Sequence, residues 1–207
     1  MNKLTNKLNN INYVDDEILN SLYLNINGKE NKIILKNIEC NKNSRIVLNL
    51  TGDNNSINIT GVKINKELRI VVGAVSFNFK PVNNHFLDIG KNTSIESMIY
   101  ESYNSNTGCT LGEECMVSFD VLIFNTDAHP ILDYRTKKMC NYLSEINIGK
   151  HCWIGRNAVI LKNSVIADDC IVGGTLLFLE GILRHTQYTL VILQKKLKTV
   201  KPGTIMV

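Results

Sequence analysis

No two of the six cysteines form a C-x-x-C pair, so zinc ribbons and dithiol redox sites have no support. No apolar run is long enough to span a bilayer, so no membrane span is expected. No block of like charge exists either. Lys and Arg total 23, Asp and Glu 19, and the net charge of +4 neither requires nor excludes an anionic ligand. The Asn- and Lys-rich start reads as surface, and no nucleic-acid partner is expected. Met1 to Asn10 has no apolar secretion core, so a cytoplasmic protein with free thiols is expected. At 44% hydrophobic and 20% charged, the 207 residues can build one real core.

What is present is a beat of six. Ile148, Ile154, Ile160, Ile166 and Val172 recur at that spacing. Gly149, Gly155, Leu161, Ala167 and Gly173 follow them, mostly small. Cys152, Ala158, Ser164 and Cys170 repeat a second small position. Helices repeat every three to four residues and strands every two. A period of six fits a solenoid whose unit is one short strand and a corner, with three units to a coil. The aliphatic residue points inward and stacks on its equivalent one coil along. Leu111, Val117 and Ile123 echo the beat, as do Ile89 and Ile95. Before residue 85 the beat decays into alternating, strand-like segments, which predicts wider, irregular coils. A short helix is expected around Asp15 to Tyr23.

The beat breaks between Phe124 and Glu145. Pro130 cannot donate a ladder hydrogen bond, so an excursion from the coil is expected at about 124–146. Loops on rigid scaffolds often carry chemistry. The organisation expected is 1–84 irregular strands and coils, 85–175 a catalytic β-helix, and 176–207 an atypical tail.

Two segments, Asn125-Thr-Asp-Ala-His-Pro-Ile-Leu-Asp133 and Ile146-Asn-Ile-Gly-Lys-His-Cys-Trp-Ile-Gly-Arg-Asn-Ala-Val-Ile-Leu-Lys162, resemble the hexapeptide-repeat acyltransferases. The bacterial polysialic-acid and capsule O-acetyltransferases and the maltose acetyltransferase group are the most similar. The resemblance is strong from about 109 to 175. It implies an all-β fold, a left-handed parallel β-helix, usually a homotrimer with sites between subunits. It also implies acetyl-coenzyme A as acetyl donor, no metal, and a sugar or polysaccharide acceptor. His129 matches the catalytic histidine and Trp153 the tryptophan near the acetyl group. Gly155, Arg156, Asn157, Lys162, Gly173 and Gly174 fall along the cofactor track.

The chemistry suits those types. A neutral imidazole can take the proton of a sugar hydroxyl as it attacks a thioester. Asp127, two residues from His129 in an extended segment, would point the same way and hold the ring's other nitrogen. The Trp153 indole or a backbone N–H could serve the oxyanion. Lys150, Arg156 and Lys162 could meet phosphates. His85 is expected to be structural and His151 to lie at the surface.

The tail departs from the family, which continues with another coil and a Gly-Asn-Pro-Ala-Lys element. Slid back by one nucleotide, the codons for Val191 to Lys196 can read Gly-Asn-Pro-Ala-Lys-Lys. Translation out of frame from about residue 177 is therefore one reading; a genuine strand and basic helix is the other. Three further functions stay open: an N-acetyltransferase of an amino sugar or antibiotic, an inactive product without a complete cofactor site, and a γ-carbonic-anhydrase-like metal enzyme. The last needs three converging histidines.

Overall fold

The fold is seen in a computed structural model that describes residues 10–13, 16–73, 81–175, 177–178, 181–183 and 204–206. The chain winds as a parallel β-helix with three faces, the solenoid expected from the beat of six. The first face is one parallel sheet: β1 (Asn10–Tyr13), β3 (Lys32–Lys36), β6 (Ser56–Thr60), β8 (Phe86–Ile89), β10 (Gly108–Leu111), β14 (Ile146–Ile148), β17 (Ser164–Ile166) and β20 (Gly181–Leu183). The second face stacks β4 (Glu39–Cys40), the starts of β7 (Lys63–Val72) and β9 (Ser94–Ser102), then β11 (Met116–Val117), β15 (Trp153–Ile154) and β18 (Ile171–Val172). The third stacks β2 (Leu22–Asn27), β5 (Arg45–Thr51), the long remainders of β7 and β9, then β12 (Val121–Phe124), β16 (Val159–Leu161) and β19 (Leu177–Phe178).

Registered ladders build the core. Ile33, Ile57, Leu87, Cys109 and Ile146 form one on the first face, all buried. Ile64, Ile95, Val117, Ile154 and Val172 form one on the second. Leu48, Ile70, Tyr100, Ile123 and Ile160 form one on the third. The small positions fulfil their expected role, since Cys152, Ala158, Ser164 and Cys170 are all buried. Corners turn through left-handed residues, among them Asn92, Glu114, His151 and Asp169, where φ lies between 54° and 60°. Asn and Asp recur there because they tolerate that region better than most side chains.

Coil length explains why the beat fades upstream. Equivalent corner residues are 18 apart at His151 and Asp169, the strict three units of six. They are 22 apart at Thr93 and Cys115, 30 at Asn55 and His85, and 24 at Asn31 and Asn55. The same faces nevertheless run without a break from β2 to β18. The short helix expected around Asp15 to Tyr23 is a 3₁₀ helix over Asp16–Ser21, and β2 begins at Leu22. Leu22, Leu24 and Ile26 pack on the core from β2, and that alternation favours strand there. Much of the tail, including residues 184–203, lies outside the described residues, and with it the test of its reading frame.

Candidate active site

A polar column runs down the corner between the third and first faces. Asn31, Asn55, His85, Thr107 and Ser144 occupy equivalent positions, each two residues before the first ladder of the core. Asn55 donates to Asn31 Oδ1 through both N–H and Nδ2, at 2.9 Å each. The His85 N–H donates to Asn55 Oδ1. The His85 ring is also engaged: Nε2 lies 2.8 Å from the Tyr100 hydroxyl and Nδ1 3.2 Å from the Asn104 carbonyl. Burial holds its pKa down at about 4, so it stays neutral. Thr107 Oγ1 donates to the Ser144 carbonyl at 2.9 Å.

The excursion leaves and re-enters at this corner, between β12 and β14. Asn125 anchors its outgoing leg. It is fully buried, and its Nδ2 donates to the Gly108 carbonyl at 2.9 Å. Ala128 then takes a φ of 60°, with its N–H on Thr126 Oγ1. That turn carries His129 outward, where it is exposed. A hairpin follows, formed by β13 (Ile131–Asp133) and the chain near Met139 and closed by Asp133 Oδ1, which accepts from the N–H groups of Arg135 and Thr136. The other edge of β13 pairs antiparallel with β21 (Thr204–Met206).

Two side chains fasten the excursion. Asn141 Nδ2 donates to Asp127 Oδ2 and to the His129 carbonyl, both at 2.8 Å, and its Oδ1 accepts the Ile131 N–H at 2.7 Å. Lys162 Nζ lies 2.7 Å from Asp127 Oδ2 and 2.8 Å from the Tyr142 carbonyl. The expected pairing of Asp127 with the His129 ring is therefore absent. The left-handed Ala128 breaks the alternation that would have aligned the two side chains, and Asp127 turns to Lys162 and Asn141. Among the described residues the His129 ring has no hydrogen-bond partner. Asn141 was invisible to motif reasoning, since nothing distinguishes one asparagine in a polar run.

The cofactor-track residues lie on other parts of the prism. Trp153 opens the second face, 49% exposed beside the 51% exposed Met116 of the next coil. Within one chain it shares no face with His129, which follows the third. Arg156 stacks its guanidinium over Phe119 at 4.8 Å and has no carboxylate partner among the described residues. Asn157 is an exposed left-handed corner residue. A side chain at Gly155 would strike Gly174 N at 2.5 Å, so that glycine is required by coil packing. Gly173 has open space where a Cβ would be, and Gly174 lies against the Arg156 carbonyl. Lys162 is committed to the excursion and only 14% exposed. Lys150 pairs weakly with Glu113, and His151 with Asp169 at 2.8 Å, which raises its pKa. Among the described residues no three His, Cys, Asp or Glu form a metal-holding group, and no helix is long and apolar enough to cross a membrane.

No family model matches the chain. It is 36% identical to the polysialic acid O-acetyltransferase of Escherichia coli O1:K1 over 74 residues, 36% of this chain and 24% of that protein. It is 40% identical to the polysialic acid O-acetyltransferase of Neisseria meningitidis over 53 residues, 26% of this chain and 25% of that one. The matches thus span about a quarter of each relative's length. Among solved structures, the polySia-specific acetyltransferase NeuO aligns with a TM-score of 0.48 and 22% identity, covering 75% of this chain and 70% of that one. The polysialic acid O-acetyltransferase OatWY aligns at 0.42 and 18%, covering 83% and 96%. Over the matched stretches the chain is similar in sequence to two polysialic acid O-acetyltransferases.

Proposed function

We propose that this protein transfers an acetyl group from acetyl-coenzyme A to a hydroxyl of a sugar or polysaccharide, with His129 as general base. The observation that carries this reading is the placement of His129. It stands exposed on a turn whose backbone is held by Thr126 and Asn141, with its ring uncommitted among the described residues. A neutral imidazole so placed can take the acceptor hydroxyl's proton as the oxygen attacks the thioester carbonyl; the C–O bond forms, the C–S bond breaks, and the proton passes on to the departing thiolate. The backbone fixes the residue while the ring stays free to meet substrate. Asp127 acts on the turn rather than on the ring.

The chain's residues fit the donor in part. Arg156, without an acidic partner among the described residues, suits a phosphate, and Gly173 leaves bare backbone in the next coil. Lys162 does not suit that role, because Asp127 neutralises it. His129 and Trp153 lie on different faces, so a site using both draws on two subunits. The exposed Met116 and Trp153, with Ile99 on the third face, supply apolar surface for such a homotrimer. The free cysteines agree with a cytoplasmic setting.

The test is acetyl-coenzyme A binding by calorimetry together with an acetyl-transfer assay on polysaccharide acceptors. His129→Ala should lower transfer by about 10²–10⁴-fold and leave donor binding unchanged. A variant as active as the parent sinks the assignment of His129. A chain that binds no donor supports the inactive-product reading instead.

A further inference from the structure

A recess of about 390 Å³ lies at the foot of the excursion, between its returning leg and the first face. Asn106, Thr107, Ser144, Glu145, Asn147 and Asn163 line it, together with the apolar Leu143 and Val165. It opens at the corner from which the His129 turn departs. None of these residues is cationic, and Glu145 is the one carboxylate among them. We propose that the recess is the acceptor subsite and that it holds an uncharged sugar unit, not an acidic one; the acceptor role rests on the acetyltransferase reading above.

Three observations converge on this ligand class. Side-chain amides offer donors and acceptors together, which matches hydroxyl groups that do both. An anionic sugar offers acceptors only at its carboxylate and needs a cation or a set of donors. Here it would meet Glu145 instead, and the nearby Lys162 is taken by Asp127 and the Tyr142 carbonyl. Second, Ser144 Oγ, in the wall of the recess, is a buried hydroxyl without a hydrogen-bond partner among the described residues. Such groups are rare and costly unless a ligand or water answers them. The Asn147 amide likewise has no partner among the described residues. Third, Leu143 and Val165 give the recess apolar lining beside its amides. A polar rim with a few apolar surfaces is the usual make-up of a small-ligand site.

Binding is tested by chemical-shift mapping on the full chain, with neutral glucose, galactose and mannose trisaccharides and with an α2,8-linked sialic acid trimer. At least one neutral trisaccharide should shift the signals of Asn147 and Asn163, and Asn147→Trp, which fills the recess, should weaken it at least tenfold. Glu145→Gln should retain the neutral ligand and improve the acidic one. Shifts at the recess from the sialic acid trimer alone, or from none of the four probes, overturn the proposal. If a neutral trisaccharide binds but acetyl transfer never occurs, the subsite stands and the acetyltransferase reading fails. If transfer proceeds in Asn147→Trp with unchanged KM, the subsite fails and that reading stands.

Discussion

Lys162 Nζ and Asp127 Oδ2, 2.7 Å apart, join the coil after the excursion to the turn that carries His129. Their side chains are only 14% and 28% exposed, so solvent screens the pair less than a surface salt bridge. Asn141 completes the arrangement by binding the same carboxylate oxygen. Removing one partner leaves the other charge poorly solvated, which costs more than the pair gains. Lys162→Met and Asp127→Asn should each loosen the excursion. Hydrogen exchange at the Ile131 and Cys140 amides, both bonded within it, measures this. A double-mutant cycle should return a coupling of about 0.5–3 kcal/mol, the range for residues in one network. Additive effects would mean that the pair does not hold the turn.

The same pair marks where sequence reasoning succeeded and where it stopped. The interruption after Phe124 and the presence of Pro130 were enough to expect an excursion carrying His129. The partner of Asp127 was not legible, because one left-handed residue, Ala128, reverses the direction that alternation implies. Lys162 reads in sequence as a cofactor-track lysine that could meet a phosphate; only the column Asn31, Asn55, His85, Thr107, Ser144 shows that its position belongs to the same polar corner. That column is hidden because its members are separated by 24, 30, 22 and 37 residues. The core was legible where the coil keeps 18 residues, as between Lys150 and Asp168, and lost where longer strands such as β7 replace the hexad. Burial still alternates along those strands, so each segment reads as a strand but not as a coil.

His85 makes stability depend on acid. Its folded pKa, about 4, lies below the ordinary value of 6.5 because burial disfavours the charged ring. The unfolded chain therefore binds the proton more readily. The stabilisation is fully present above pH 6.5 and is lost as pH falls toward 4. The difference amounts to roughly 3 kcal/mol at its full extent. Thermal unfolding midpoints between pH 7.5 and 4 should fall more steeply for the parent than for His85→Gln, which has no titrating ring. Parallel curves for the two would remove His85 from the acid response. The variant should also be less stable at neutral pH, since the buried Tyr100 hydroxyl and Asn104 carbonyl lose the partner that the ring gave them.

The cysteines report on how tightly the coils close. Cys115 and Cys152 lie in register at one corner, with the Cys152 N–H directed to Cys115 Sγ at 3.4 Å and Cys152 Sγ donating to the Ala167 carbonyl at 3.2 Å. Cys170 continues the column, and Cys109 is buried on the first face. Burial pushes the thiols of Cys109 and Cys170 up; the Cys115 contact, together with burial, does the same for Cys152. Thiolates are the reactive form, so Cys109, Cys152 and Cys170 are protected both by access and by charge state, whereas the Cys152 contact pushes the Cys115 thiol down and leaves burial as its protection. Cys140, on the returning strand of the hairpin, is exposed. A maleimide at pH 7.5 should therefore label Cys140 first, with the half-buried Cys40 following slowly because desolvation raises its pKa. The remaining four should react only in denaturant, which peptide mass mapping can check. Lys162→Met should leave that order unchanged, since the clasp holds the hairpin and not the coil corners. Rapid native labelling of Cys115 or Cys152 would show instead that the corner column opens on its own, and that the excursion stands on a mobile base.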